Sequence, residues 1–264
     1  MAMTYWRPLL GLLIAGASAA VIPLGSSCST LSQTSATPPA IAGATLVGNK
    51  VCADCHAAAF KTFAGSIHAR VHVDHEKLPG GTSCEMCHGP GSKHVNAPSA
   101  KAMFIVNPGK DSAACLNCHL ETHAELRMPH HHPVLENKMN CVQCHEPHGS
   151  EMHRVRGSLA FARLNETCAQ CHREQTRPFV FQHEALREGC TVCHTPHGSP
   201  NQKMLTERDA NLCLKCHAQL PGSSPGTVYI GKAEHTAFLR RGTCWTAGCH
   251  SAIHGSNVHP KMFY

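Results

Sequence analysis

Sixteen of the seventeen cysteines fall into eight pairs, and a histidine directly follows the second cysteine of every pair. Two residues separate the cysteines in seven pairs, and four residues separate Cys244 from Cys249 in the eighth. A C-x-x-C-H motif is typical of covalent c-type haem attachment. The cysteines form thioethers to the porphyrin, and the histidine ligates the iron from one side. The motifs therefore predict eight covalently attached haem c groups.

Disulfides and zinc sites are the alternative interpretations of so many cysteines. Disulfides are normal in exported proteins but give no reason for a histidine after every pair. Zinc sites do not fix a histidine at the same adjoining position eight times. The predicted thioether cysteines are Cys52, Cys55, Cys84, Cys87, Cys115, Cys118, Cys141, Cys144, Cys168, Cys171, Cys190, Cys193, Cys213, Cys216, Cys244 and Cys249. The predicted proximal iron ligands are His56, His88, His119, His145, His172, His194, His217 and His250.

Fifteen further histidines are candidates for the opposite face of each iron. Every second motif has one histidine upstream and another soon after it, often in a His-Gly-Ser ending, whereas the motifs between stand alone. The predicted distal ligands are these flanking residues, His68, His94, His132, His148, His183, His197, His235 and His254. Two choices stay open on sequence alone. They are His132 against His131, and His68 against His72 or His75.

The motifs repeat with a period of roughly fifty residues, which is typical of internal repeats. The predicted two-haem modules are residues 46–105, 106–157, 158–205 and 206–264, together one octahaem domain. Within a module, we expect the two outer histidines to serve one haem of the module and its solitary neighbour, for example the haem of Cys168–His172. Spacing does not say which histidine serves which iron.

The elements that position the motifs are expected to be short. Aromatic residues make up only 5% of the chain, so the porphyrins must form much of the apolar interior. The predicted fold class is a multihaem cytochrome c, mostly irregular with short α-helices and little or no β-structure, forming an elongated haem chain of tandem modules. Helices are expected at the solitary motifs, with caps at Asp111, Asn165 and Asp209.

The first 27 residues predict a secretory signal peptide, because Arg7 precedes a short apolar run that Pro23 soon interrupts. Cys28 follows a weak lipobox and is a candidate for lipidation. The alternative is cleavage after Ala19, which leaves Cys28 as a free thiol. Residues 28–45 are rich in Ser, Thr, Pro and Ala and predict a flexible linker. We therefore expect an exported, periplasmic protein that meets a membrane only through a lipid anchor.

The formal net charge of +6 does not include the haems. Each haem adds two propionates, which reverse the sign of the charge, so nucleic-acid binding is not expected. Reduction of the irons makes the protein more negative still. We therefore expect reduction to couple to the uptake of protons or cations.

Four segments resemble the periplasmic multihaem cytochromes of the MtrA/DmsE type, which are decahaem carriers of outer-membrane porin–cytochrome conduits. The segments are Cys84–His94, His132–Ser150, Arg177–Ser199 and His250–Asn257. The resemblance covers the chain from Val51 to its C-terminus. It implies bis-histidine haems inside an outer-membrane β-barrel porin, which pass electrons between the periplasm and extracellular acceptors. It also implies an outer-membrane-associated location, with other multihaem cytochromes or quinol-linked electron donors as partners.

The sequence favours an electron carrier over an enzyme. A multihaem reductase for nitrite, hydroxylamine or tetrathionate needs one iron with an open or displaceable site. Here every motif ends in histidine, and a distal candidate exists for each iron. A haem filament subunit is the third alternative, because a repeated module could stack end to end. These hypotheses concern the sites and not the fold.

Overall fold

The computed structural model describes residues 37–73, 78–149, 158–217, 219–240, 244–245 and 249–263. The predicted signal peptide, Cys28, the first part of the linker and His75 lie outside the described residues. Within these ranges, no helix has both the length and the apolar character needed to cross a membrane.

Short α-helices hold most of the regular backbone of the described residues. They are α1 (Asn49–Ala53), α2 (Ala57–Phe63), α3 (Ser83–His88), α4 (Ser92–Asn96), α5 (Ala113–Leu116), α6 (Leu120–Glu125), α7 (Ser158–Ala169), α8 (Arg173–Thr176), α9 (Ala210–Leu214) and α10 (Thr236–Leu239). Single 3-10 turns cover Ile67–Arg70, Lys101–Phe104, Cys141–Gln143, Glu184–Arg187, Cys190–Val192 and Gln202–Met204. The prediction of an irregular fold with short helices is confirmed.

The strands are two or three residues long and all of their pairings are antiparallel. They are β1 (His130–His131), β2 (Phe181–Gln182), β3 (Gly198–Ser199), β4 (Gln219–Pro221), β5 (Val228–Ile230), β6 (Ala233–Glu234) and β7 (Gly255–Ser256). β1 pairs with β3, β2 pairs with β7, and β4, β5 and β6 form a small meander. The first two pairings each join a segment before one motif to the His-Gly-Ser ending that follows a later motif.

Helices carry the solitary motifs, as predicted, since the first cysteines of these motifs lie in α1, α5, α7 and α9. The Asp111 carboxylate accepts the Ala113 N–H (2.9 Å) at the start of α5. The prediction for Asn165 is wrong, because α7 begins earlier, at Ser158. The intervening Leu, Ala and Arg residues favour helix and extend it upstream. Asp209 precedes α9 but makes no capping hydrogen bond with its side chain.

The buried apolar core of the described residues is very small. It consists of Met86, Leu116, Leu126, Leu205 and Ala252. Other apolar side chains of similar size stay exposed, among them Ile67 at 56% and Leu120 at 52% of their surface. Because apolar burial is the main favourable term in folding, so small a core agrees with the expectation from composition that the polypeptide does not form an ordinary apolar interior.

Candidate haem-iron sites

A backbone hydrogen bond closes each motif. The histidine N–H donates to the carbonyl of the first cysteine, at 2.9 Å for His56 and for His172 and at 3.2 Å in the stretched motif that ends at His250. This bond brings the histidine back to the first cysteine of its motif, and the stretched motif closes in the same way despite two extra residues. None of the sixteen motif cysteines forms a disulfide in the structure.

Each predicted proximal histidine lies opposite one predicted distal histidine. The ring centroids of the partners are 6.0 to 6.5 Å apart in every case. The pairs are His56–His94, His68–His119, His88–His148, His132–His172, His145–His197, His183–His217, His194–His254 and His235–His250. The structure therefore joins the sixteen nominated rings into eight pairs with no ring left over.

The separation within these pairs fits one metal ion held from two sides. An imidazole nitrogen lies about 2 Å from a metal ion that it ligates, and its ring centre lies about 1 Å further away. Two rings that share an ion from opposite sides therefore have centroids about 6 Å apart. The observed range matches this value, so the paired rings fit the iron of a haem that has two axial histidines.

The inner pairs cross the boundaries of the predicted modules in a regular way. The upstream histidine of one module lies opposite the solitary motif of the next module, as His183 does with His217. The downstream histidine of one module lies opposite the second motif of the preceding module, as His197 does with His145. We expected one outer histidine of the third module to serve the haem of Cys168–His172 and the other to serve the second haem of that module. This expectation is wrong, because His172 pairs with His132, and His183 and His197 pair with rings of other modules.

The antiparallel strand pairs bring these rings together. β1 lies directly before His132 and pairs with β3, which follows His197, so that His131 is opposite Gly198. Gly198 is needed here, because a Cβ on it would overlap the carbonyl of Glu125. β2 and β7 repeat the arrangement before His183 and after His254. The His-Gly-Ser endings are therefore the points where consecutive modules interlock.

Two of the eight pairs form between rings of the same predicted module. In the first module His94 lies opposite His56. In the fourth module His235 lies opposite His250. The two end pairs are thus the only ones of the eight that form within one predicted module.

The structure separates the histidines that the sequence left open. Both ring nitrogens of His131 contact other protein groups, Nδ1 the carbonyl of Met128 and Nε2 the Glu136 carboxylate at 2.9 Å. The neighbouring His132 is the one that lies opposite a motif histidine. His68 likewise forms a pair, whereas Nδ1 of His72 accepts the Thr82 N–H (3.2 Å).

Burial lowers the pKa of several paired rings. Desolvation lowers the pKa of His88, and the nearby ring of His148 lowers it further. Desolvation also lowers the pKa of His254 and of His183, each with a contribution from its partner ring. Neutral imidazole is the form that ligates a metal ion, so the shifts favour ligand binding.

Backbone carbonyls orient many of the paired rings. They accept a hydrogen bond from Nδ1, which directs Nε2 towards the partner ring. The rings held in this way include His88, His94, His132, His194, His235 and His250. His197 differs, because its Nδ1 donates to the Glu125 carboxylate at 2.9 Å.

A polar residue lies three positions before three of the four solitary motifs, and its role was not predicted from the sequence. The Asn49 side chain accepts the Cys84 N–H (3.0 Å), and the Asn165 side chain accepts the Cys190 N–H (2.9 Å). Ser112, at the same position of the second module, lies beside Cys141 and contributes to lowering its pKa. The recurrence of a polar residue at this repeat position was the signal that could have identified it.

The first cysteines of the two motifs of each module lie side by side. The neighbouring cysteines are Cys52 and Cys84, Cys115 and Cys141, Cys168 and Cys190, and Cys213 and Cys244. The second cysteines approach the next module instead. Burial raises the pKa of Cys87, Cys144 and Cys193, and a thiol of the following motif, such as Cys118 beside Cys87, raises it further. Motifs that are consecutive in the sequence therefore also lie next to each other in space.

Exposed apolar side chains stand next to the paired rings. Ile67 precedes His68, and Leu120 follows His119. A cavity of about 400 Å³ lies beside His119 and Leu120, and Cys118, Glu121 and Thr122 complete its lining. A flat apolar porphyrin placed at the ring pair would cover such side chains, which is a second respect in which the residues present fit haem c.

Comparison with known proteins agrees with this geometry. Residues 131–177 and 183–222 match the family model of the doubled CXXCH motif. Each match crosses a predicted module boundary and contains one of the crossing pairs, His132–His172 or His183–His217. The matched unit therefore begins at His183 in one case and one residue before His132 in the other, and these are two of the predicted distal histidines.

Two curated proteins are similar to the chain. The multiheme cytochrome MtrA of Shewanella baltica is 32% identical over 220 residues, which are 81% of this chain and 59% of that protein. The cytochrome c-type protein NrfB of Escherichia coli O6:H1 is 28% identical over 129 residues, which are 47% of this chain and 65% of that protein. The aligned part of the chain thus spans less than two thirds of either relative.

Proposed function

Because the chain belongs to the multihaem c-type cytochromes of the MtrA type, we propose that residues 46–264 bind eight haem c groups and carry electrons along them. The eight histidine pairs support this proposal most directly, since their centroid separations of 6.0 to 6.5 Å suit an iron with two axial imidazoles. Each haem c supplies a reversible one-electron couple of its iron. The polypeptide binds, orients and spaces these groups.

The paired cysteines of each motif are the proposed covalent attachment points, and the paired histidines are the proposed axial ligands. The motif histidine would hold one face of the iron of a bound haem, and its partner ring would hold the other. Alternating contacts between consecutive motifs, such as Cys52 with Cys84 and Cys87 with Cys118, support a haem order that follows the sequence. An electron that enters at one end of the series would then reach the other end through neighbouring haems.

The ring pairs favour a carrier over a reductase. A reductase must leave one coordination position of an iron open to its substrate. Here all eight motif histidines face a second imidazole, so substrate would have to displace a ligand. The relative's printed name also describes a cytochrome and names no substrate.

We further propose that the chain is exported, that it functions in the periplasm at the outer membrane, and that Cys28 anchors it there. The proposed partners are an outer-membrane porin and other multihaem cytochromes or quinol-linked donors. The similarity to MtrA over 81% of the chain supports this placement. Mass spectrometry of the mature N-terminus tests the anchor, and co-purification with a porin tests the conduit.

Spectroscopy of the holoprotein tests the electron-transfer proposal. We expect a pyridine haemochrome assay to give eight haems per chain, with low-spin spectra in both oxidation states. Reduced protein should bind no carbon monoxide, because every iron has two protein ligands. A high-spin haem, together with turnover of nitrite or hydroxylamine, would replace the carrier with a reductase.

A further inference from the structure

The pair at the fourth motif, His145–His197, differs from the pairs at the next two motifs in the group that holds one of its rings. His197 donates Nδ1–H to the Glu125 carboxylate, and the two atoms are 2.9 Å apart. His132 belongs to the pair at the fifth motif, and His194 belongs to the pair at the sixth motif. In both rings Nδ1 donates to a neutral backbone carbonyl. The carboxylate of Glu146 is the acidic group near His148, but it lies 3.5 Å from that ring's Nδ1.

The position of Glu125 is fixed independently of this hydrogen bond. Glu125 is the last residue of α6, and its carbonyl accepts the Met128 N–H at 3.0 Å. The same carbonyl packs against Gly198 so closely that no side chain fits there. Gly198 directly follows His197, so the backbone contact places the carboxylate beside the ring. Two contacts therefore join the end of α6 to the third module. One is the close approach of the Glu125 carbonyl to Gly198, and the other is the hydrogen bond from His197 to the Glu125 carboxylate.

A carboxylate in this position changes the electronic character of the ligand. It draws the Nδ1 proton towards itself and makes the imidazole a more basic, more anionic ligand. Anionic character and a nearby negative charge favour the ferric iron, which carries one more positive charge than the ferrous iron. Hydrogen bonding around the iron is one of the means by which a protein sets a haem potential.

We propose that Glu125 acts through His197 to lower the reduction potential of the haem bound at Cys141 and Cys144. This inference rests on the proposed function, because it requires an iron between His145 and His197. Glu125 is a positioning residue in this role and does not touch the haem iron. The haem at the fourth of the eight motifs, near the middle of the series, therefore has a lower reduction potential than it would have without this carboxylate.

The variant Glu125→Gln tests the role of the charge, because glutamine keeps an acceptor of almost the same size. Glu136→Gln is the matched control, since it removes the same charge from a carboxylate that is also 2.9 Å from an imidazole, on His131, which faces no motif. Potentiometric titration of the holoproteins, followed at the α-band, gives the readout. We expect one eighth of the amplitude to move to higher potential in Glu125→Gln, with no such movement in Glu136→Gln.

Three results would overturn the proposal: an unchanged titration of Glu125→Gln, an equal shift in both variants, or a new high-spin haem in Glu125→Gln. The last result would mean that the carboxylate only holds His197 in place. Failure of the proposed function would look different, because the wild-type protein itself would then lack eight low-spin haems or would bind carbon monoxide.

Discussion

Replacing His132 by alanine should open one iron and leave the other seven unchanged. His132 lies opposite His172, at a centroid separation of 6.1 Å, and its Nδ1 contacts the carbonyl of Pro196. The variant loses one axial ligand and one hydrogen bond, the latter with a net contribution of about 1 kcal/mol. We therefore expect carbon monoxide to bind one reduced haem in eight, where the wild-type protein binds none, with one eighth of the ferric haems becoming high-spin.

His131→Ala is the matched control for this experiment. The two histidines are adjacent, but both nitrogens of His131 already contact Met128 and Glu136. We expect the control to bind no carbon monoxide. If a neighbouring imidazole takes the place of His132, the double variant His131→Ala/His132→Ala should reveal the open iron. Carbon monoxide binding by the control, or its absence in both the single His132→Ala and the double variant, would refute the ligand assignment.

Three further predictions concern stability and charge. Glu85→Gln should lower the free energy of unfolding by about 2–3 kcal/mol in urea titrations. The reason is that the buried carboxylate accepts the N–H groups of Val47, Gly48 and Gly91. An equal loss in the exposed variant Glu121→Gln would contradict this reasoning. Gly198→Ala should lower the free energy of unfolding by about 1–3 kcal/mol, measured by thermal unfolding. Gly65→Ala should lower it less, because a Cβ there would meet its nearest neighbouring atom at 3.7 Å. Similar losses in the two variants would count against the close contact between Glu125 at the end of α6 and Gly198. Midpoint potentials should fall as pH rises, because the reduced protein is more negative and its propionates bind protons more tightly; potentials that do not vary with pH would disprove the coupling.

The sequence alone was sufficient wherever the chemistry is local. A motif that spans five residues closes through one backbone hydrogen bond, from His56 to Cys52 for example, so its position needs no tertiary information. Low aromatic content likewise predicted a fold without an ordinary core, and the five buried apolar side chains of the described residues agree with it. The cap at Asn165 failed because helix propensity upstream extended α7 beyond the expected start.

The repeat also nominated the rings that the structure brings into pairs, since the flanking histidines recur at equivalent positions. What the sequence could not determine was which ring faces which. His197 is three residues from His194 along the chain, yet it lies opposite His145 in the preceding module. The partner depends on the antiparallel pairing of β1 with β3 and on the close contact of Glu125 with Gly198. Such contacts join residues far apart in sequence, where spacing carries no information about register, so the interlocking of the modules and the carboxylate beside His197 were decided by the tertiary structure.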